Sequence, residues 1–299
     1  MNKLFYFILL LLCALSCKKT AFTADHLPEA SAQAITKSLL IEAFKFKPNA
    51  TPIISVHRGG KRIKNFPENC LETLQYVNDS IPAIFEIDIA KTKDNQLVLL
   101  HDNTLERTST GTGKITDYTY QELQAFNLED HFGNATTFKI PLFTAVLKWA
   151  KANNIILTID VKRSVSVKAV INAIRRENAK DVCIIITYNL QQALKAYKWA
   201  PELLLSVSAR NEKELNWLLQ SEIPTENMLA FTGTRLSPDY FYTMVQSHGI
   251  KTILGTLGNL DNQAKSKEDL PYKIWQKKGI DIFATDRPFA AARALNIIK

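Results

Sequence analysis

Nine short apolar runs, separated by longer stretches with the spacing of amphipathic helices, constrain this chain more than any other feature. They are Ile53–His57, Ala83–Ile89, Leu97–His101, Ile155–Val161, Val182–Thr187, Leu203–Val207, Met228–Thr232, Lys251–Leu254 and Asp281–Thr285. Runs this uniformly apolar suit strands covered on both faces, as in parallel sheets flanked by helices. Alternation sustained over roughly 240 residues predicts the α/β class, as a (β/α) barrel or a doubly wound sheet. A barrel has eight strand positions, so one run is surplus. The four residues Lys93-Asp94-Asn95-Gln96 account for it. A parallel crossover needs a dozen or more residues, so the second and third runs must pair antiparallel. With Asp94-Asn95 as a two-residue turn, Lys93 faces Gln96. Asp88 then faces His101, with their Cβ atoms about 5 Å apart.

Ionisable groups collect where these runs end. His57 closes the first run and His101 the third. Glu86 and Asp88 are two apart, so they share one face of the second; Asp160 and Lys162 stand in the same relation near the end of the fourth. In a barrel, inward side chains at the carboxyl ends of strands build the active site. Six such groups on four runs exceed what a packed core tolerates without a partner. Three carboxylates with a lysine suit a hard divalent cation, Mg²⁺ or Ca²⁺. Two histidines outside any zinc spacing suit a general acid and a general base.

Composition narrows the classes. The 299 residues are 46% hydrophobic and 22% charged, with 10 Gly and 11 Pro, which excludes disorder, collagen and coiled coil. The net charge of +8 is spread over pairs such as Lys61-Arg62, Arg175-Arg176 and Lys277-Lys278. No aromatic residues interleave with a basic stripe, so nucleic acid is not an expected partner. The segment Gly111-Thr112-Gly113-Lys114 lacks the spacing of a phosphate-binding P-loop.

The amino end reads as a leader. Lys3 precedes an uncharged stretch from Leu4 to Leu15, too short for a membrane-spanning helix, which needs about 20 residues, and matching a secretory h-region. Ala14-Leu15-Ser16-Cys17 resembles a bacterial lipobox, with Ala14 where leucine is usual. The expected division is a signal peptide over 1–16, a tether with an amphipathic helix (roughly 32–46) over 17–50, and the barrel over 51–299. Lipid on Cys17 would hold an exported protein to a membrane, facing the periplasm or the cell surface. Plain secretion is the alternative. Cys13 leaves with the leader, and Cys70 and Cys183 read as buried free thiols. No CxxC spacing offers a thiolate zinc site.

The motifs, taken in order, are similar to a known family. His57-Arg58-Gly59, Pro67-Glu68-Asn69, Glu86-x-Asp88, Thr92-x-Asp94, His101-Asp102 and Leu105-x-Arg107-Thr108 resemble the glycerophosphodiester phosphodiesterase family, and Thr285-Asp286-Arg287-Pro288 resembles its closing motif. The likeness covers roughly 53–290. It implies a TIM-type (β/α)8 barrel with the hairpin around Asp94-Asn95 and the family's insertion between His101 and Asp160. It also implies metal-dependent hydrolysis of glycerophosphodiesters to glycerol phosphate and an alcohol. His57 and His101 would be the acid/base pair, and Glu86, Asp88 and Asp160 would hold one divalent cation. Arg58 and Lys162 would bind phosphate, and Glu68 would support the site.

Three departures bear on substrate. Asp160 stands where the family usually has glutamate, a variation similar to the sphingomyelinase D branch. Asp94-Asn95 replaces the usual Asp-Gly. Residues 252–259, TILGTLGN, replace a usual W-T-V-N segment of the pocket wall. A phospholipase D-like activity on lysophospholipid or sphingolipid is therefore the second reading. A non-catalytic surface binding lipoprotein is the third.

Overall fold

Each of the nine apolar runs forms a strand in the computed structural model, which describes residues 36–297. The strands are β1 (Ile53–Val56), β2 (Ile84–Lys91), β3 (Leu97–Leu99), β4 (Leu157–Val161), β5 (Cys183–Thr187), β6 (Leu204–Ser208), β7 (Met228–Phe231), β8 (Lys251–Gly255) and β9 (Ile282–Thr285). Eight pair in parallel and close the sheet, in the order β1-β9-β8-β7-β6-β5-β4-β2, with β2 returning to β1. This is the (β/α)8 barrel. The ninth strand, β3, runs antiparallel to the end of β2. Eight-residue β2 pairs with β1 at Ile84 and Phe85, and with β3 from Ile89 to Lys91.

Side chains alternate along each strand, so two cores form. Outward residues such as Ile54, Phe85, Ile87, Ile159 and Phe283 pack under the surrounding helices. Inward residues Ile84, Ile184, Leu204, Leu229, Ile253 and Ile282 fill the lower barrel. A short helix, Leu39–Ala43, closes that end by adding Leu40, Ile41 and Phe44 to the inner core. Each such fully buried side chain contributes about 1.5–3 kcal/mol. The helix is shorter than the expected 32–46. Ser38 ends it on one side by accepting from the Leu40 N–H, and Phe44 caps the other. Residues 1–35, and with them the expected signal peptide, Cys17 and the first part of the expected tether and helix, lie outside the described residues. Among the described residues, no helix is long and apolar enough to cross a membrane.

The hairpin register differs by one from the expected one. Ile89 pairs with Leu99, Ala90 with Val98 and Lys91 with Leu97, so Asp88 faces Leu100, not His101. The turn holds three residues, Lys93 to Asn95. Thr92 N–H donates to the Gln96 carbonyl at 3.0 Å, and Asn95 takes φ 62°. A left-handed residue ending a three-residue turn is a stable solution for a hairpin, and Thr92 Oγ1 fixes it by donating to Asp94 Oδ1 at 2.5 Å. A slip of one residue reverses the face of every side chain. Leu100 accordingly packs inward with Ala90 and Val98 in a third core, which Leu105, Ile115, Leu123, Leu128 and Ile140 of the insertion complete.

Cys70 and Cys183 are free and buried, in different clusters. Burial pushes both thiols well above their usual range.

Candidate active site

Strand register brings the three expected carboxylates together. Glu86 lies beside Thr158, and Asp88 beside Asp160, on adjacent parallel strands. One oxygen from each of Glu86, Asp88 and Asp160 lies within 4.8 Å of the others. Asn69 holds Asp88 twice: its side-chain amide donates to Asp88 Oδ2 at 2.7 Å, and its Oδ1 accepts from Asp88 N–H at 2.9 Å. Lys162 Nζ donates to Asp88 Oδ1 at 2.6 Å and to Asp160 Oδ2 at 3.4 Å. The lysine expected at the phosphate thus sits against two of the carboxylates.

The electrostatics follow from this crowding. Burial, with Asp88 and Asp160 close by, pushes Glu86 well above the usual carboxylate range. Burial would raise Asp88 too, but Lys162 overrides it and holds Asp88 low. The same pairing overrides burial at Lys162 and keeps it charged. One lysine cannot balance three carboxylates. Asp160 Oδ1 is moreover buried with no hydrogen-bond partner. An orphaned carboxylate oxygen inside an all-oxygen cluster fits a hard divalent cation, which these residues would ligate.

His57 directly follows β1, which lies next to β9 through the Val56–Thr285 pair. That neighbour brings Asp286 to it. Burial alone would raise Asp286, but His57 holds it below its usual range, so it is ionised. His57 Nδ1 therefore donates to Asp286 Oδ1, at 2.6 Å. Nε2 is left facing the cluster, 3.9 Å from Glu86 Oε2. Asp286 is itself positioned by buried Asp261, which accepts from Asp286 N–H at 2.8 Å, Thr285 Oγ1 at 2.8 Å and Tyr272 OH at 2.7 Å.

His101 reaches the site from beyond the hairpin ladder and lines the same cavity as His57 and the carboxylates. Its Nδ1 lies 2.5 Å from Asp102 Oδ1. Burial would raise Asp102, but Arg107 and His101 hold it far below its usual range. Both histidines therefore have Nδ1 tied to an aspartate and line one cavity, and the Nδ1 contact fixes the tautomer, leaving Nε2 as the free ring nitrogen.

Arg58 adopts φ 53°, ψ 34°, an unusual conformation for a side chain this large. It turns its N–H onto Glu86 Oε2 at 2.7 Å, while Asn69 N–H bonds its carbonyl at 2.7 Å. Gly59 follows at φ +68°, where a Cβ would lie 2.4 Å from Leu74 Cδ1. Arg58 Nη1 pairs with Glu68 at 2.8 Å, and its buried Nε has no partner. Glu68 also accepts from Arg107, and the two arginines override burial to keep it ionised.

All eight candidate residues in the barrel thus meet at one end of it. Roles for Asp286, Asp102, Asn69, Arg107 and Asp261 were not assigned from sequence. The first four lie in the quoted motifs. Asp261 has no signal of its own.

Residues 57–257 match the family model of the glycerophosphoryl diester phosphodiesterase family. A glycerophosphodiester phosphodiesterase from Caldanaerobacter subterraneus subsp. tengcongensis is 26% identical over 250 residues, covering 79% of this chain and 94% of that protein. With one Bacillus subtilis relative the match spans 63% of that protein's length. The crystal structure of a glycerophosphoryl diester phosphodiesterase from Parabacteroides distasonis superposes with TM-score 0.79 at 31% identity, covering 86% of this chain and 90% of that one. An Oleispira antarctica phosphodiesterase, solved with its product sn-glycerol-3-phosphate, shares the fold at 17% identity and TM-score 0.67, covering 86% and 99%.

Proposed function

From membership of the glycerophosphoryl diester phosphodiesterase family, to which this chain belongs, we infer that it hydrolyses a glycerophosphodiester to glycerol phosphate and an alcohol. The observation that carries the reading is the pair of aspartate-tethered histidines facing one carboxylate cluster. One histidine Nε2 takes the proton of the nucleophile, either water or the neighbouring glycerol hydroxyl. The new P–O bond forms as the P–O bond to the alcohol breaks. The other histidine gives its proton to the leaving oxygen. With water as nucleophile this yields glycerol phosphate directly; with the glycerol hydroxyl it yields a cyclic glycerol phosphate, which water then opens as the two histidines exchange roles. Arg58, with an unpaired buried Nε, and Lys162 supply fixed positive charge for the phosphate. Glu86, Asp88 and Asp160 would hold Mg²⁺ or Ca²⁺, and a bound cation there supplies neutralisation of phosphate charge.

Glycerol fits a mouth of about 330 Å³ lined by hydroxyls such as Ser55, Ser206 and Thr234. Its far wall is apolar, with Phe231, Ile253 and Leu257, which favours keeping lysophospholipid as a second substrate to test. Side-by-side assays with glycerophosphodiesters and lysophosphatidylcholine, with Mg²⁺ or Ca²⁺ present, decide between them. The expected result is release of glycerol phosphate, with at least tenfold lower turnover of the lysolipid. The reverse order replaces this reading with the phospholipase D-like one, and no metal-dependent turnover of either leaves a binding protein.

The leader supports a membrane-tethered, exported enzyme, anchored by lipid on Cys17. In cells fed labelled palmitate, the wild-type chain is expected to carry label and sediment with membranes. Cys17→Ala is expected to do neither. Label on the variant overturns the anchor.

A further inference from the structure

Two cavities meet at the carboxylate cluster. The barrel mouth is one. The other, about 550 Å³, leaves it past Asp160, Ile186, Thr187 and Tyr188, which line both, and runs between the loop after β4 and the helix Leu190–Trp199. We propose that this groove receives the leaving alcohol and selects alcohols that carry negative charge over quaternary ammonium alcohols. The proposal rests on the phosphodiesterase reading above and names the substrate class for it.

The placement follows from shape. The smaller mouth, which holds both histidines and the carboxylates, suits the constant part of the substrate, glycerol phosphate. The larger groove begins at Asp160 and Lys162, where the phosphate would lie, and continues over the outside of the barrel, so it can take the variable part.

The selectivity follows from charge. Among the described residues, no carboxylate beyond Asp160 lines the groove, whereas Lys162, Arg163 and Lys195 do. Lys162 is held by Asp88 and Asp160. Arg163 and Lys195 are exposed, and among the described residues neither forms an ion pair. The remaining polar lining, including Ser166, Asn189 and Gln192, is neutral. A quaternary ammonium needs an aromatic face or a carboxylate. The groove has two aromatic residues, Tyr188 and Trp199. Lys195 Nζ lies 4.8 Å from the Trp199 ring centroid, so that face is already taken by a like charge, and Tyr188 remains as a single ring at the junction with the mouth. Two unpaired cations are instead placed for a second phosphate or a carboxylate.

The test compares glycerophosphoinositol 4-phosphate with glycerophosphocholine, with glycerophosphoinositol, whose alcohol is uncharged, as the reference. Two exposed cations predict about tenfold higher kcat/KM for the phosphorylated diester at low salt, carried by KM. The preference should shrink towards 1 M salt, where the screening length falls to about 3 Å. In Arg163→Glu/Lys195→Glu the order is expected to reverse, with glycerophosphocholine gaining. A gain cannot come from misfolding, and thermal unfolding of the variant provides a second control. A variant that keeps the wild-type order, or a wild type that prefers glycerophosphocholine, overturns the proposal. A wild type that hydrolyses none of the three overturns the phosphodiesterase reading, and this one with it.

Discussion

His101→Ala is expected to lower kcat on a glycerophosphodiester by about 10²- to 10⁴-fold, the usual yield of a positioned acid or base. KM should move little, because Arg58 and Lys162 carry the phosphate charge. The variant should also fold normally. Removing the ring leaves Asp102 with its other partner, Arg107 Nε, at 2.5 Å, so no carboxylate is stranded. His57→Ala is expected to cost a similar factor in kcat, but with a signature of its own. Its removal strands Asp286, whose side chain is 5% exposed. An unsatisfied buried group costs about 1–3 kcal/mol, so Tm should fall for His57→Ala and hold for His101→Ala. Steady-state kinetics with thermal unfolding on both variants checks the pair. Near-normal turnover in both would sink the acid/base assignment.

The difference between the two histidines also marks what the sequence could and could not convey. Both were legible as strand-end histidines beside carboxylates, because apolar runs set strand ends and period-two spacing sets faces. All nine strands were legible for the same reason: residues buried on both sides leave a continuous signature. Asp286 as the partner of His57 was not, although it sits in a quoted motif. The two residues are 229 positions apart, and only closure of the barrel between β1 and β9 makes them neighbours. Asp261 is further from view, since a buried aspartate collecting three donors looks like any surface aspartate in a polar segment. The hairpin failed at the level of turn chemistry. Asp94-Asn95 reads as a two-residue turn until Asn95 is seen in the left-handed region, which adds one residue and moves Asp88 from His101 to Leu100. The groove beside Tyr188 left no trace in sequence, because a loop and a helix from different βα units form it.

The carboxylate cluster carries the second large effect. Chelation with EDTA is expected to reduce turnover by at least 10²-fold, and Mg²⁺ or Ca²⁺ to restore it. Three buried or half-buried carboxylates with one lysine between them retain excess negative charge, and burial makes that charge costly unless a cation joins them. The strain is visible in Glu86, which burial and then its neighbours Asp88 and Asp160 push towards holding a proton, and in Asp160 Oδ1, buried without a partner among the described residues. A cation that binds the folded chain alone must also stabilise it. At a concentration 100 times its dissociation constant the gain is about 2.7 kcal/mol, or roughly 5 °C in Tm for a domain of this size. Asp160→Asn keeps the shape of the site but removes a ligand charge, so the cation-dependent rise in Tm should shrink along with turnover. Glu86→Gln should do the same, and should raise the Tm of the cation-free protein by relieving the repulsion from Asp88 and Asp160. Thermal unfolding with and without cation separates these effects from loss of fold. Turnover insensitive to EDTA, or a Tm that neither Mg²⁺ nor Ca²⁺ moves, removes the metal from this site.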